Sequence, residues 1–308
     1  MKIVFFGTPE FAVPTLEKLI QSNHDIIAVV TSPDKERGRG RKVSSTPVKE
    51  FAIKKNLYIL TPKALNDLSF VDAIKSLNAD LFIVVAFRIL PKEVYTLPKY
   101  GAFNLHGSLL PKYRGAAPIQ WALINGETET GLTTFMLEEK VDSGNIILQE
   151  KIEIDDDDNF GSLHDKMMNL GSELVLETVS LIESQTYQLK DQDISQISLA
   201  PKITKETCQI DWRKSATDIH NLVRGLSPYP GANSNFSGIN YKIFRTNVLH
   251  QSGSTFMNEK EIGEPFVLDK DKIFVKTISG ILQILEIQPE GRKRMTAEEF
   301  LRGYKFEP

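Results

Sequence analysis

The chain has 308 residues, a formal net charge of -3 at pH 7, 41% hydrophobic and 25% charged residues, and one cysteine. That length suits two domains, and that charge excludes generalised attraction to nucleic acid, so any such contact needs a local patch. The single Cys208 excludes an internal disulfide framework and a multi-cysteine zinc site, and no apolar run nears the ~20 residues of a membrane span. Lys2 to Phe6 reads as a buried strand, too short in its apolar run for a secretory signal, so the expected compartment is the cytoplasm. Thr8 is placed to cap a helix with Pro9 at its first position, and Phe11, Ala12, Leu16, Leu19 and Ile20 keep helical spacing. Asp25 to Thr31 follows as a second apolar strand. Such a strand-helix-strand unit opens a parallel, doubly wound sheet. The segment Gly7-Thr8-Pro9-Glu10-Phe11-Ala12 lacks the second and third glycines of a dinucleotide fingerprint, which excludes nicotinamide binding. Ser32 to Thr46 reads as a long polar loop carrying Lys35, Arg37, Arg39, Arg41 and Lys42, with Gly38 and Gly40 between them. Charge runs are ordinarily solvated faces, but a loop this long in a compact domain is more often functional or disordered than idle. Pro47 to Lys55 reads as a helix, Leu57 to Leu60 as a short strand and Val71 to Leu77 as an amphipathic helix. Leu81 to Ala86 reads as a central strand, with Phe87-Arg88-Ile89-Leu90-Pro91 as the loop at its carboxyl end.

Ala102 to Leu105 begins the most informative stretch, Phe103-Asn104-Leu105-His106-Gly107-Ser108-Leu109-Leu110-Pro111-Lys112-Tyr113-Arg114-Gly115-Ala116-Ala117-Pro118. A short strand turns through Gly107 and breaks at Pro111, Gly115 and Pro118. Asn104 and His106 are two apart, so they share one face at a strand end, where open α/β sheets place ligands. An amide there can donate to an oxyanion, and an imidazole can do the same or exchange a proton. Each also has a plain reading, the Asn as a turn former and the His as a satisfied structural group. Ala116 to Leu123 reads as a helix, Gly131 to Leu137 and Ile146 to Ile154 as strands. Between those strands Asp142 precedes a Ser143-Gly144 turn, a common place for an Asp that only forms the turn. Asp155-Asp156-Asp157-Asp158 reads as a solvated turn and helix amino terminus, without the alternate spacing of a calcium loop. Ser162 to Glu183 is a long helix with one core stripe.

Gln185 to Thr207 is polar and contains Pro201, so the expected division is a first domain 1-188, a linker 189-206 and a second domain 207-308. A helix is expected from Ile210 through Val223. Strands at Tyr241 to Val248, Pro265 to Leu268, Ile273 to Lys276 and Ile281 to Ile287 suggest a small barrel or sandwich. Thr296 and Glu299 form a capping box for a last helix. Arg292-Lys293-Arg294 is the one basic cluster here, with a solvated turn as its plain reading.

The run from Asn104 to Pro111 resembles the N-x-H-x-S-L-L-P signature of the folate-dependent formyltransferases. Its continuation, Lys112 to Ile119, is similar to the branch of that family acting on methionyl-tRNA. Val141-Asp142-Ser143-Gly144 matches the family's V/L-D-x-G context for a catalytic acid. The resemblance implies a doubly wound, mostly parallel α/β domain followed by a small OB-like β-barrel. It implies 10-formyltetrahydrofolate as co-substrate, initiator methionyl-tRNA as acceptor and no metal. The methionine amine would attack the formyl carbon, with Asn104 and His106 donating to the oxyanion and Asp142 orienting His106. The amine's proton would leave through His106, Asp142 or a water. Ser108, Leu109, Leu110 and Pro111 would shape the folate site mainly through their backbone, with Phe87, Ile89 and Val141 lining it. The loop at Phe87 is about one residue shorter than the family's glycine-containing form. Lys35, Arg37, Arg39, Arg41 and Lys42 are similar to a basic insertion that enters the acceptor-stem end of tRNA, where phosphate contacts make affinity salt-dependent. A monomer without membrane contact is expected. Two alternatives stay open. A same-fold enzyme acting on glycinamide ribonucleotide or an amino sugar nucleotide would not need the basic segment. A catalytically silent tRNA-binding protein would not need Asn104, His106 and Asp142 together.

Overall fold

The computed structural model describes residues 1-37, 42-249, 260-304 and 306. Its strands are β1 (Lys2–Gly7), β2 (Asp25–Val30), β3 (Lys35–Arg37), β4 (Lys42–Ser44), β5 (Ile59–Leu60), β6 (Leu81–Val85), β7 (Ala102–His106), β8 (Arg114–Gly115), β9 (Glu129–Met136), β10 (Ile146–Glu153), β11 (Leu199–Ala200), β12 (Ala232–Phe236), β13 (Ile239–Leu249), β14 (Pro265–Leu268), β15 (Lys272–Lys276), β16 (Ile281–Pro289) and β17 (Met295–Thr296). Its helices are α1 (Val13–Gln21), α2 (Pro47–Lys54), α3 (Leu68–Ser76), α4 (Lys92–Tyr95), α5 (Pro118–Ile124), α6 (Phe160–Ser184), α7 (Ala216–Leu226) and α8 (Ala297–Gly303). The chain divides into two compact units. The first comprises Met1–Ala116, Glu129–Glu153 and His164–Ala200, the second Ala117–Thr128, Ile154–Leu163 and Pro201–Pro308.

Among the described residues, seven strands of the first unit form one sheet in the order β10-β9-β7-β6-β1-β2-β5. Pairing is parallel from β5 across to β7, and antiparallel where β9 meets β7 and β10. The order runs outward from β1 in both directions, so its switch lies between β1 and β6, where Gly7 stands opposite Val85. Ligand crevices of open α/β sheets form outside the strands' carboxyl ends at such a switch. Every residue of β6, and all of β1 after Lys2, is buried, as a parallel strand covered on both faces requires. Phe6 and Phe82 meet with ring centroids 5.1 Å apart. The Thr134 and Thr178 hydroxyls, both buried, pair at 2.8 Å and join β9 to α6.

Several stretches differ from the sequence expectation. Thr8 caps no helix: Pro9 is extended, a single 3-10 turn spans Glu10–Ala12, and α1 begins only at Val13. The Thr8 hydroxyl instead lies 3.2 Å from that of Ser32. Ser32 to Thr46 is not a loop throughout, because β3 and β4 pair antiparallel with Lys35 opposite Ser44 and Arg37 opposite Lys42. With Val43 as its one apolar residue, this pair of three-residue strands leaves no apolar alternation to read. The helix expected from Ile210 starts later. Asp211 accepts the Arg213 amide in a turn, and the Ser215 hydroxyl caps α7 by accepting the Asp218 amide at 3.0 Å. Asp158 is not solvated. It is buried, its carboxylate accepts from the Asp155 amide at 2.9 Å and the Ser162 hydroxyl at 2.7 Å, and Arg224 donates to the carbonyls of Asp158 and Asp155.

In the second unit β12, β13, β16, β15 and β14 pair antiparallel in that order, with β17 added on β16. Phe236, Tyr241, Ile243, Ile284, Ile287 and the wholly buried Phe300 share its core. The expected capping box holds α8, with Thr296 accepting the Glu299 amide at 3.2 Å and Glu299 accepting the Thr296 amide at 2.9 Å.

On α7, His220 has Nδ1 2.9 Å from the Thr246 hydroxyl. Burial, and then Arg224, hold its imidazole below the ordinary 6.5, against the opposing pull of Asp156 and Asp157. The fold therefore favours the neutral ring. As pH falls the unfolded chain takes up its proton first, so this stability is present above 6.5 and lost below it. Burial lowers His24 in the same direction. Calorimetric melting should show a falling transition temperature between about pH 7 and about pH 5, and His220→Gln should make that fall shallower. An equally steep fall in the variant would remove His220 from the account.

Candidate active site

β7 carries Asn104 and His106 on one face and ends at the sheet's carboxyl edge. Its neighbour β6 pairs through Val84 with Asn104 and Val85 with Leu105, so the turn bearing Phe87 and Ile89 leaves the sheet beside the turn that follows His106. On the other side β9 sets Phe135 opposite Asn104 and Thr133 opposite His106. His106 is buried. Asn104 is half-buried, and its amide forms no hydrogen bond among the described residues.

His106 Nε2 lies 2.9 Å from the Tyr113 carbonyl. A carbonyl only accepts, so Nε2 holds a hydrogen and Nδ1 is the nitrogen left to exchange one. Nδ1 is 3.8 Å from Asp142 Oδ2, beyond hydrogen-bond reach but within ion-pair reach once the ring is charged. The same carboxylate oxygen accepts the Gly115 amide at 2.9 Å. Asp142 has φ 52, a region that side-chain-bearing residues use sparingly. Its loop is closely seated, since a Cβ on Gly144 would collide with the Met136 carbonyl oxygen. Gly115 has φ 129, and a Cβ there would lie 2.5 Å from the Ala200 carbonyl where β8 pairs with β11.

The Ser108-Leu109-Leu110-Pro111 turn is held from within. The buried Thr133 hydroxyl donates to the Ser108 carbonyl at 2.6 Å, and accepts from the Leu110 amide at 3.1 Å and from Gln149 Nε2 at 3.0 Å. One donor and two acceptor sites are then all in use. Gln149 also donates to the Leu110 carbonyl at 2.9 Å, and the Ser108 hydroxyl donates to the Lys112 carbonyl at 2.5 Å. The Leu110-Pro111 peptide is cis. Ser108, Leu110 and Pro111 are buried and Leu109 is half-buried. Several backbone groups of this turn are thus engaged inside the protein.

Phe87 packs beside Phe6, with centroids 5.7 Å apart, and under the Arg88 guanidinium. Arg88 donates to the carbonyls of Pro62 and Lys63 at 2.8 and 2.9 Å. Ile89 is 73% exposed and Val141 49% exposed. Lys35 and Arg37 lie on β3 and Lys42 on β4, while Arg39 and Arg41 fall outside the described residues. Thr133, Gln149 and Gln192 are site neighbours that no motif or spacing marks, and Arg114 lies in the signature run without a role assigned to its side chain. Among the described residues no three His, Cys, Asp or Glu side chains converge as metal ligands. The arrangement can take a proton at His106 Nδ1, balance the resulting charge with Asp142, and donate a hydrogen bond from Asn104, which suits addition of a nucleophile to a carbonyl.

Residues 1-179 match the family model described as formyl transferase, and residues 202-305 match that of the formyl transferase C-terminal domain. A methionyl-tRNA formyltransferase of Clostridioides difficile (strain 630) is 46% identical over 308 residues, covering 100% of this chain and 98% of its own length. One from Flavobacterium psychrophilum is also 46% identical, over 99% of this chain and 97% of its own. The crystal structure of WlaRD, a sugar 3N-formyl transferase, in the presence of dTDP and 5-N-formyl-THF, superposes with TM-score 0.69. It is 20% identical and covers 95% of this chain and 99% of that one, a likeness of fold.

Thr133→Val should cost about 1–3 kcal/mol of stability, because it strands the buried Leu110 amide and Ser108 carbonyl, while Thr133→Ser should cost much less. Urea unfolding of both proteins checks this. A loss in Thr133→Ser with none in Thr133→Val would mean that the methyl group, not the hydroxyl, holds the turn.

Proposed function

The chain belongs to the formyl transferase family, and from that premise we propose how its residues perform the family's reaction. The enzyme moves the formyl group of 10-formyltetrahydrofolate to the α-amino group of methionine on methionyl-tRNA. The acceptor is the initiator form, and the enzyme works as a cytoplasmic monomer. The neutral amine attacks the formyl carbon, and Asn104 donates its amide hydrogen to the oxyanion that develops. His106 Nδ1 takes the proton released by the attacking nitrogen, and Asp142 balances the imidazolium. The same proton then goes to the departing folate nitrogen, so the enzyme ends each turnover as it began. While charged, Nδ1 is also a second donor to the oxyanion. The observation that carries this reading is the Nε2 bond to Tyr113, which leaves His106 one exchangeable nitrogen and turns it towards Asp142.

The folate-facing residues are Phe87, Ile89, Val141 and the Ser108, Leu109, Leu110 and Pro111 turn. The exposure of Ile89 and Val141 supports this, because apolar side chains at a site's mouth are available to cover an aromatic ligand. Lys35, Arg37, Arg39, Arg41 and Lys42 meet tRNA phosphates.

Formyl transfer from 10-formyltetrahydrofolate should proceed to methionyl-initiator-tRNA and not to free methionine or amino sugar nucleotides offered in parallel. Asn104→Ala should lower kcat about 10²- to 10³-fold with little change in either KM, and near-normal turnover would remove the oxyanion role. Replacing the five basic residues by Gln should weaken tRNA binding and flatten the plot of log affinity against log salt. An unchanged slope would mean that they touch no phosphate.

A further inference from the structure

The segment expected to be a plain linker is stitched to the active site. Lys190 exchanges both backbone hydrogen bonds with Ile146, at 2.8 and 2.9 Å. Ser198 accepts the Tyr113 amide on its hydroxyl and the Arg114 amide on its carbonyl, both at 2.9 Å. Between these points Gln192 reaches the Asp142 loop. Its Nε2 donates to the Asp142 carbonyl at 2.9 Å and to the Gly144 carbonyl at 2.8 Å. Its Oε1 accepts from Arg114 Nε at 3.1 Å and Nη2 at 2.6 Å.

A guanidinium only donates and carbonyls only accept, so one orientation of the amide satisfies all four bonds, and in it the side chain has no capacity left. A carboxylate in place of the amide would repel the two carbonyls. We propose that Gln192, fixed by Arg114, is a positioning residue for catalysis. It holds the Asp142 backbone in its sparsely used conformation, with the carboxylate on the Gly115 amide and facing His106 Nδ1. The proposal rests on the reading that Asp142 acts with His106. Without Gln192, the Asp142 and Gly144 carbonyls lose their shared donor and the peptides between them are free to rotate. The carboxylate then loses its place while the folate and tRNA contacts stay as they were.

The test is a double-mutant cycle read by formyl transfer to methionyl-tRNA, with thermal melting of every variant. Gln192→Met keeps the length but removes both donors and the acceptor. It is expected to lower kcat about tenfold to a hundredfold, with both KM values held within about twofold. In an Asp142→Asn background the same change should lower kcat by less than about twofold, because the carboxylate it positions is gone. Gln192→Glu keeps the acceptor for Arg114 without a donor for the carbonyls, and should be as slow as Gln192→Met. Equal losses in both backgrounds, or wild-type kcat in Gln192→Glu, would overturn the proposal. A wild-type kcat in Asp142→Asn alone would overturn the role of Asp142 and the proposal with it, and is read without the Gln192 variants. Should Gln192→Met melt below the assay temperature, Gln192→Asn replaces it. That variant keeps the amide but shortens its reach, and the same two outcomes decide.

Discussion

His106 donates its Nε2 hydrogen to the Tyr113 carbonyl at 2.9 Å, and the geometry of the site follows from that bond. It commits one nitrogen of a buried ring and leaves the other on the side of Asp142. It also fixes where residues 113-115 must run, because Tyr113 has φ 60 and so turns its carbonyl back towards β7. With Tyr113 set, the Gly115 amide falls on the Asp142 carboxylate and Gly115 pairs with Ala200. A glycine is needed there for its positive φ and for the closeness of the Ala200 carbonyl. A weaker hold on Tyr113 would therefore be felt at Asp142 and at the returning strand together.

Thr133 plays a comparable part on the other flank of β7. Its hydroxyl sits in register with His106 and takes up groups from both ends of the Ser108 to Leu110 turn. A buried hydroxyl with three partners is rigid because any rotation leaves at least one of them unpaired. The turn after β7 is thus shaped by a residue of β9, and the signature motif depends on a strand that arrives later in the chain.

What could be read from sequence follows from how local each signal is. Asn104, His106 and Asp142 sit in short motifs, and the alternation of a strand is enough to put the first two on one face. The buried runs of β1 and β6 are equally plain, being apolar without interruption. Thr133 and Gln192 were illegible because their roles come from antiparallel pairing and from a chain return, neither of which leaves a period or a motif. Thr8 misled for a local reason: an extended Pro9 imposes one further turn before α1. Of the four acids only Asp158 is buried, and Arg224, which binds its carbonyl, lies sixty-six residues beyond it, too far for any pattern to connect them.

The four bonds of Gln192 and the β8/β11 pair also bear on where the chain can be cut. A chain shortened at Ser184, the end of α6, would keep every strand of the large sheet and the whole signature motif. It would still lack Lys190, Gln192, Ser198 and Ala200. The bonds that hold Arg114 and the carbonyls of Asp142 and Gly144, and the pairing of Gly115, are thus carried by the sixteen residues of chain between Ser184 and Ala200, which add no strand to the large sheet.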